Sequence, residues 1–136
     1  TIMSANHTLH LDITTRQDSQ SPRSLIGRPA NYLVRDVAED QVGRFRLRAS
    51  QGERQVINNG VRDARYVAVV ARYLVQDDAL PEPVAPGDFA PFAYRLNGET
   101  VAQSCDGFFV HAGTVTDLQV TTPYDTNEIE LVVVFG

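Results

Sequence analysis

Cys105, Asp106 and His111 stand close enough in the chain for a thiol, a carboxylate and an imidazole to meet. A nucleophilic cysteine needs a base to draw off its proton, so such a group would suit acyl transfer through a thiolate. The spacing matches no nucleophile signature, and cysteine is among the most buried residue types, so a packed thiol beside the bend at Gly107 is the expected role. His10 and Asp12, two apart on one strand face, offer two ligands to a metal, but two ligands do not complete a site and His7 projects to the other side. A solvated polar face is expected there. Asp77, Asp78, Glu82 and Asp88 bring carboxylates that calcium could use, yet the prolines among them and the missing Asp-x-Asp-x-Asp-Gly pattern make this an ordinary surface loop. The Gly-x-Ser-x-Gly, Gly-Lys-Ser/Thr and Gly-x-Gly-x-x-Gly patterns are absent. The residues thus predict no catalytic group, no metal, no cofactor and no small-molecule substrate.

Composition narrows the classes further. A chain of 136 residues with a net charge of -5 lacks the cation surplus that displaces counterions from phosphates, so no nucleic acid is expected as a partner. All 12 basic residues are Arg, and a single cysteine allows neither an internal disulfide nor a multi-cysteine zinc site. No apolar run approaches the roughly 18 residues that span a bilayer. Thr1 to His7 carry neither the basic nor the apolar region of a signal peptide. Any targeting segment or lipid-bearing residue is therefore expected upstream of Thr1, with residues 1–7 a flexible N-terminal segment of one domain covering 1–136.

The elements read as strands. Leu9, Leu11 and Ile13 alternate with His10, Asp12 and Thr14, the period of a half-buried strand. Arg16 to Pro29 is a long polar loop in which Leu25 and Ile26 are the only large apolar residues. Loops of this length are uncommon in compact domains unless they bind something or are disordered. Tyr32 to Val37 forms a short strand, and Ala38 to Gly43 a polar connection. Phe45, Leu47 and Ala49 face inward while Arg44, Arg46 and Arg48 form an outward ladder expected to pair with neighbouring carboxylates. Gln51-Gly52 turns the chain, and Val56-Ile57 closes a hairpin. Asn59 to Val75 reads as one long strand buried on both faces, with Ala68 and Ala71 small enough for close sheet approach. Phe92 to Leu96 and Glu99 to Ser104 flank Asn97-Gly98, the sequence of a two-residue type I′ turn. Phe108 to His111, Val115 to Thr121 and Ile129 to Phe135 complete the set. The fold class expected is all-β, a two-sheet β-sandwich of about eight to nine strands with little or no helix.

Arg54 to Asp77, above all Asp63-Ala-Arg-Tyr-Val-Ala-Val-Val-Ala-Arg-Tyr73 after the turn at Gln51-Gly52-Glu53-Arg54, resembles the middle of the TssJ family, the outer-membrane lipoprotein of the type VI secretion membrane complex. The order of first strand, polar loop with Asp18 and Gly27, Pro29 and a strand over Tyr32 to Val37 is similar to the family's beginning. The resemblance implies a transthyretin-like sandwich in the periplasm, anchored to the outer membrane only through a lipid upstream of Thr1. It implies a protein partner, the C-terminal periplasmic domain of TssM, met by the loop between the first two strands, which here is Asp18 to Arg28. In that loop Leu25 and Ile26 are the expected apolar anchors, and Asp18, Arg23 and Arg28 the polar rim.

Two other classes fit an all-β chain. A carbohydrate-binding or adhesin-type sandwich needs exposed aromatics, and Trp is absent. A phage-tail or capsid accessory subunit would use unpaired edge strands. A ring-opening hydrolase on a transthyretin-like scaffold ends in Tyr-Arg-Gly-Ser, whereas this chain ends in Leu131-Val-Val-Val-Phe-Gly136.

Overall fold

A computed structural model of the chain describes residues 4–38, 42–57, 64–74, 84–123 and 128–136. They divide into two compact units, Thr1–Glu39 and Asp40–Gly136. The all-β expectation holds: among the described residues every regular element is a strand apart from one turn of 3-10 helix.

The first unit contains β1 (Ser4–Leu11), β2 (Thr14–Thr15), β3 (Arg23–Ser24) and β4 (Ala30–Ala38). β1 begins at Ser4, so the segment expected to be flexible is strand from there to His7. β1 and β4 pair antiparallel, with Ala5 opposite Val37 and His7 opposite Val34. One residue on β1 therefore faces two on β4, a bulge at Arg35 and Asp36. Asp36 takes φ +57, and its N–H donates to Asn6 Oδ1 at 3.3 Å. The extra residue has a packing consequence. Val34 and Val37 are three apart and would point to opposite faces of a regular strand, but the bulge brings both to one face, where both are buried.

The second unit is a β-sandwich. Its strands are β5 (Val42–Leu47), β6 (Arg54–Ile57), β7 (Ala64–Tyr73), β8 (Pro91–Leu96), β9 (Gln103–Asp106), β10 (Phe108–Val115), β11 (Leu118–Thr121) and β12 (Ile129–Phe135). One sheet runs β10-β7-β12-β5 and the other β6-β11-β8-β9. Leu47, Val67, Val69, Ala71, Val115, Ile129, Leu131 and Val133 from the first sheet meet Ile57, Phe92, Leu96, Leu118 and Val120 from the second in one core. Each fully buried aliphatic side chain of this kind stabilises the fold by about 1.5–3 kcal/mol.

Several local expectations are corrected. β5 and β6 do not form a hairpin: β5 pairs with β12 and β6 with β11. The 3-10 turn at Ala49–Gln51, followed by Gly52 at φ +70, carries the chain from one sheet to the other. β7 is interior to its sheet, and the face bearing Val67, Val69, Ala71 and Tyr73 is buried at each of these residues, whereas the opposite face is buried only at its start, at Ala64 and Tyr66. On its other face Ala68 and Val70 are half-buried and Arg72 is exposed. The remainder of that expected strand, residues 59–63 and 75, lies outside the described residues, as do the connection at 39–41 and the turn at 124–125.

Asn97 and Gly98 do take the two positive φ values of the expected turn, +54 and +75, and Glu99 N–H donates to Leu96 O at 3.2 Å. The returning strand begins only at Gln103, opposite Tyr94, and Asn97 bonds to the neighbouring turn. Its Nδ2 donates to Thr114 O at 2.8 Å, and its Oδ1 accepts from Thr116 N–H at 2.8 Å. One side chain thus ties the β8 turn to the β10–β11 turn.

At Gly107 the chain passes from β9 in one sheet to β10 in the other. The residue has φ +104, and a Cβ there would lie 2.6 Å from the Cβ of Phe89. Only glycine meets both conditions without strain.

Candidate partner-binding surface

The loop between β1 and β4 is built on a miniature hairpin. Thr14 faces Ser24 and Thr15 faces Arg23, and Leu25 N–H extends the ladder by donating to Ile13 O at 2.7 Å. At the tip, Gln20 N–H donates to Gln17 O at 2.8 Å, and Asp18 takes φ +42, a conformation that Asp tolerates better than most residues. Ser24 Oγ donates to Asp12 Oδ1 at 2.8 Å and fixes the base. The loop is therefore held in shape by its own backbone.

Its apolar residues face outward. Leu25 is 59% exposed and Ile26 41%. Directly across the ladder from Leu25 stands Ile13, 49% exposed, and Leu11 is 55% exposed. Period-2 alternation predicts Leu9, Leu11 and Ile13 on the covered face of a half-buried strand, and Leu11 and Ile13 are instead exposed. Their alternation is real, but alternation does not say which face finds cover: on β1 His7 and Leu9 are half-buried while its C-terminal end is exposed. Opposed residues in an antiparallel pair have adjacent side chains, so Ile13 and Leu25 form one apolar spot that sequence spacing conceals. Tyr32 and Leu33 on β4 are exposed as well. Among the described residues, six of the eleven large exposed apolar side chains thus belong to the first unit.

The expected polar rim is dispersed. Asp18 sits at the tip, and Arg23 lines a dent of about 170 Å³ with Thr15, Gln17, Gln20 and Ser21. Arg28 follows Gly27 and is exposed. Among the described residues none of these three charges is in an ion pair. Leu25 and Ile26 are adjacent, so the anchors come together while the charges flank them.

The other candidate chemistries are occupied differently. His10 Nδ1 lies 2.6 Å from Asn31 Oδ1, and Asp12 accepts the Ser24 bond. No group of three metal-ligating side chains occurs among the described residues. Asp88 accepts from Ala85 N–H at 2.8 Å and closes its own turn; Asp77, Asp78 and Glu82 lie outside the described residues. Cys105 is half-buried against the core and directs its thiol at Phe108 O. Burial pushes that thiol above its ordinary pKa, so the neutral form prevails at neutral pH. The arginine ladder pairs across β12, Arg44 with Glu130 at 3.6 Å and Arg48 with Glu128 at 3.0 Å. These are exposed pairs, each worth only a few tenths of a kcal/mol, about what surface pairs contribute.

The chain matches no protein-family model, no curated protein and no solved structure.

Proposed function

We propose that this chain is a non-enzymatic interaction component of a bacterial secretion apparatus. In this reading it is a periplasmic domain held at the outer membrane by a lipid on a residue upstream of Thr1. It binds the C-terminal periplasmic domain of TssM through the connection between β1 and β4. The observation that carries the reading is the exposed apolar spot of Ile13, Leu25 and Ile26 on a loop shaped by its own hydrogen bonds. Preformed apolar anchors within a polar rim are what a protein interface uses, because little conformational entropy is lost on docking. The likeness of Asp63 to Tyr73 to the TssJ strand supplies the apparatus and the partner.

Leu25→Asp tests it. Titration of the TssM domain by calorimetry is expected to show binding to the wild type and a loss of about a hundredfold or more in the variant, the range of a central anchor. The melting temperature should move by no more than about 2 °C, since surface substitutions seldom change stability by over ~0.5 kcal/mol. Unchanged affinity in Leu25→Asp, or no binding by the wild type, overturns the assignment.

A further inference from the structure

The four edges of the sandwich differ. β5 carries Arg44 and Arg46, β6 carries Arg54, and β9 is four residues long. Charged side chains and short length are the usual means of keeping an edge from pairing with another chain. β10 has neither: it runs eight residues, Phe-Phe-Val-His-Ala-Gly-Thr-Val, without Arg, Asp, Glu or Pro. Phe108 and Val110 are 56% and 57% exposed along it. Among the described residues no strand pairs with its outer edge.

The hydrogen bonds show which backbone groups are open there. Ala71 N–H donates to Gly107 O at 2.7 Å, in register with Phe109 opposite Val69 and His111 opposite Val67. In an antiparallel ladder the bonded pairs alternate, so Gly107, Phe109 and His111 turn their backbone groups to β7. Phe108, Val110 and Ala112 turn theirs outward. Phe108 O is taken by the Cys105 thiol, and Thr114 O by Asn97 Nδ2. Those two capped carbonyls stand three residues to either side of His111. Between them the open groups are those of Val110 and Ala112, one on each side of His111.

We propose that β10 pairs antiparallel with β10 of a second copy of this chain about a two-fold axis at His111. In that register Val110 faces Ala112 of the other copy twice, and both N–H and C=O of each residue are satisfied. The symmetry of the open window about a single residue is what an isologous contact requires, and an unrelated peptide would have no need of it. No Arg, Asp or Glu meets its counterpart, because the strand has none; His111 is the one ionisable side chain on it and stands opposite His111 of the other copy. The register slip between Ala112 and Val115 ends the regular ladder on one side, so the contact is short and the dimer weak, with a Kd on the order of 10 µM. This contact uses none of the residues assigned to partner binding above and stands independently of that assignment.

Val110→Pro is the test. The N–H it removes points away from β7, so the internal ladder is untouched, and proline is accepted on edge strands in that orientation. Each copy loses one bond across the axis, about tenfold apiece and roughly a hundredfold together. Val110→Lys, at the same exposed position, places a charge on the edge by a different means. Sedimentation velocity at about 100 µM protein should show dimer for the wild type and monomer for both variants, with unchanged circular dichroism. A wild type that stays monomeric at that concentration overturns the proposal, leaving the edge to some other occupant. So does a dimer that persists in both variants.

Discussion

Replacing Asn97 separates two things that one residue does at once. Its backbone sits at φ +54, and its side chain holds Thr114 O and Thr116 N–H, each at 2.8 Å. Two well-formed hydrogen bonds contribute about 1 kcal/mol each, and a left-handed backbone costs an ordinary residue about 1 kcal/mol more than it costs glycine. Asn97→Ala should therefore destabilise by about 3 kcal/mol, and Asn97→Gly, which relieves the backbone but loses both bonds, by about 2 kcal/mol. Asn97→Asp keeps the acceptor and loses the donor, so it should cost about 1 kcal/mol. The backbone bonds of the turn, Asn97 N–H to Asp117 O and Glu99 N–H to Leu96 O, persist in all three. For 136 residues each kcal/mol is worth roughly 3–4 °C, so the alanine variant should melt about 10 °C below the wild type. Urea denaturation gives the free energies directly, provided the m-value is constant across the series. If alanine and glycine variants both fall within ~0.5 kcal/mol of the wild type, the side chain does not fasten the two turns and the reasoning fails.

Two further outcomes follow from the β9–β10 bend. Gly107→Ala must accept both φ +104 and a Cβ 2.6 Å from Phe89, whereas Gly98→Ala meets only the positive φ, with nothing within 4 Å. The first should cost at least about 2 kcal/mol more than the second in thermal or urea melts; equal losses would show that Phe89 yields freely. Cys105, whose thiol is pushed up by burial, should react with iodoacetamide more slowly in the native protein than after urea unfolding. Because the folded pKa is the higher one, the stability it contributes is complete below the unfolded pKa and fades as pH rises through the folded value. A native alkylation rate equal to the unfolded one would contradict this.

What the sequence discloses is what depends on near neighbours. The alternation of Phe45 and Leu47 with Arg44 and Arg46 survives intact, because β5 needs only one covered face. The left-handed turn at Asn97-Gly98 is equally local. Leu25 and Ile26 stand out as apolar residues in a polar loop, and they are exposed. The partner of each strand is not local: nothing in Gln51-Gly52 says that the turn leads across the sandwich to β11 and not back along β5. Nor does sequence spacing reveal the bulge at Arg35 and Asp36 that sends Val34 and Val37 the same way, or the ladder that sets Ile13 beside Leu25. Each of these is a fact about register, and register is fixed by contacts between segments many residues apart.

β12, the last of the described strands in chain order, lies between β7 and β5 in the middle of its sheet. Until residues 129–135 have been made, β5 has no neighbour and β7 is open along one side, so the core containing Ile129, Leu131 and Val133 has no centre. Folding therefore waits for residues 129–135, and until then the apolar strands that precede them stay unpaired and prone to aggregation. The apolar segments that precede β12 must be sheltered while they are unfolded, so chaperone supply bears on the yield of this chain as well as its final stability.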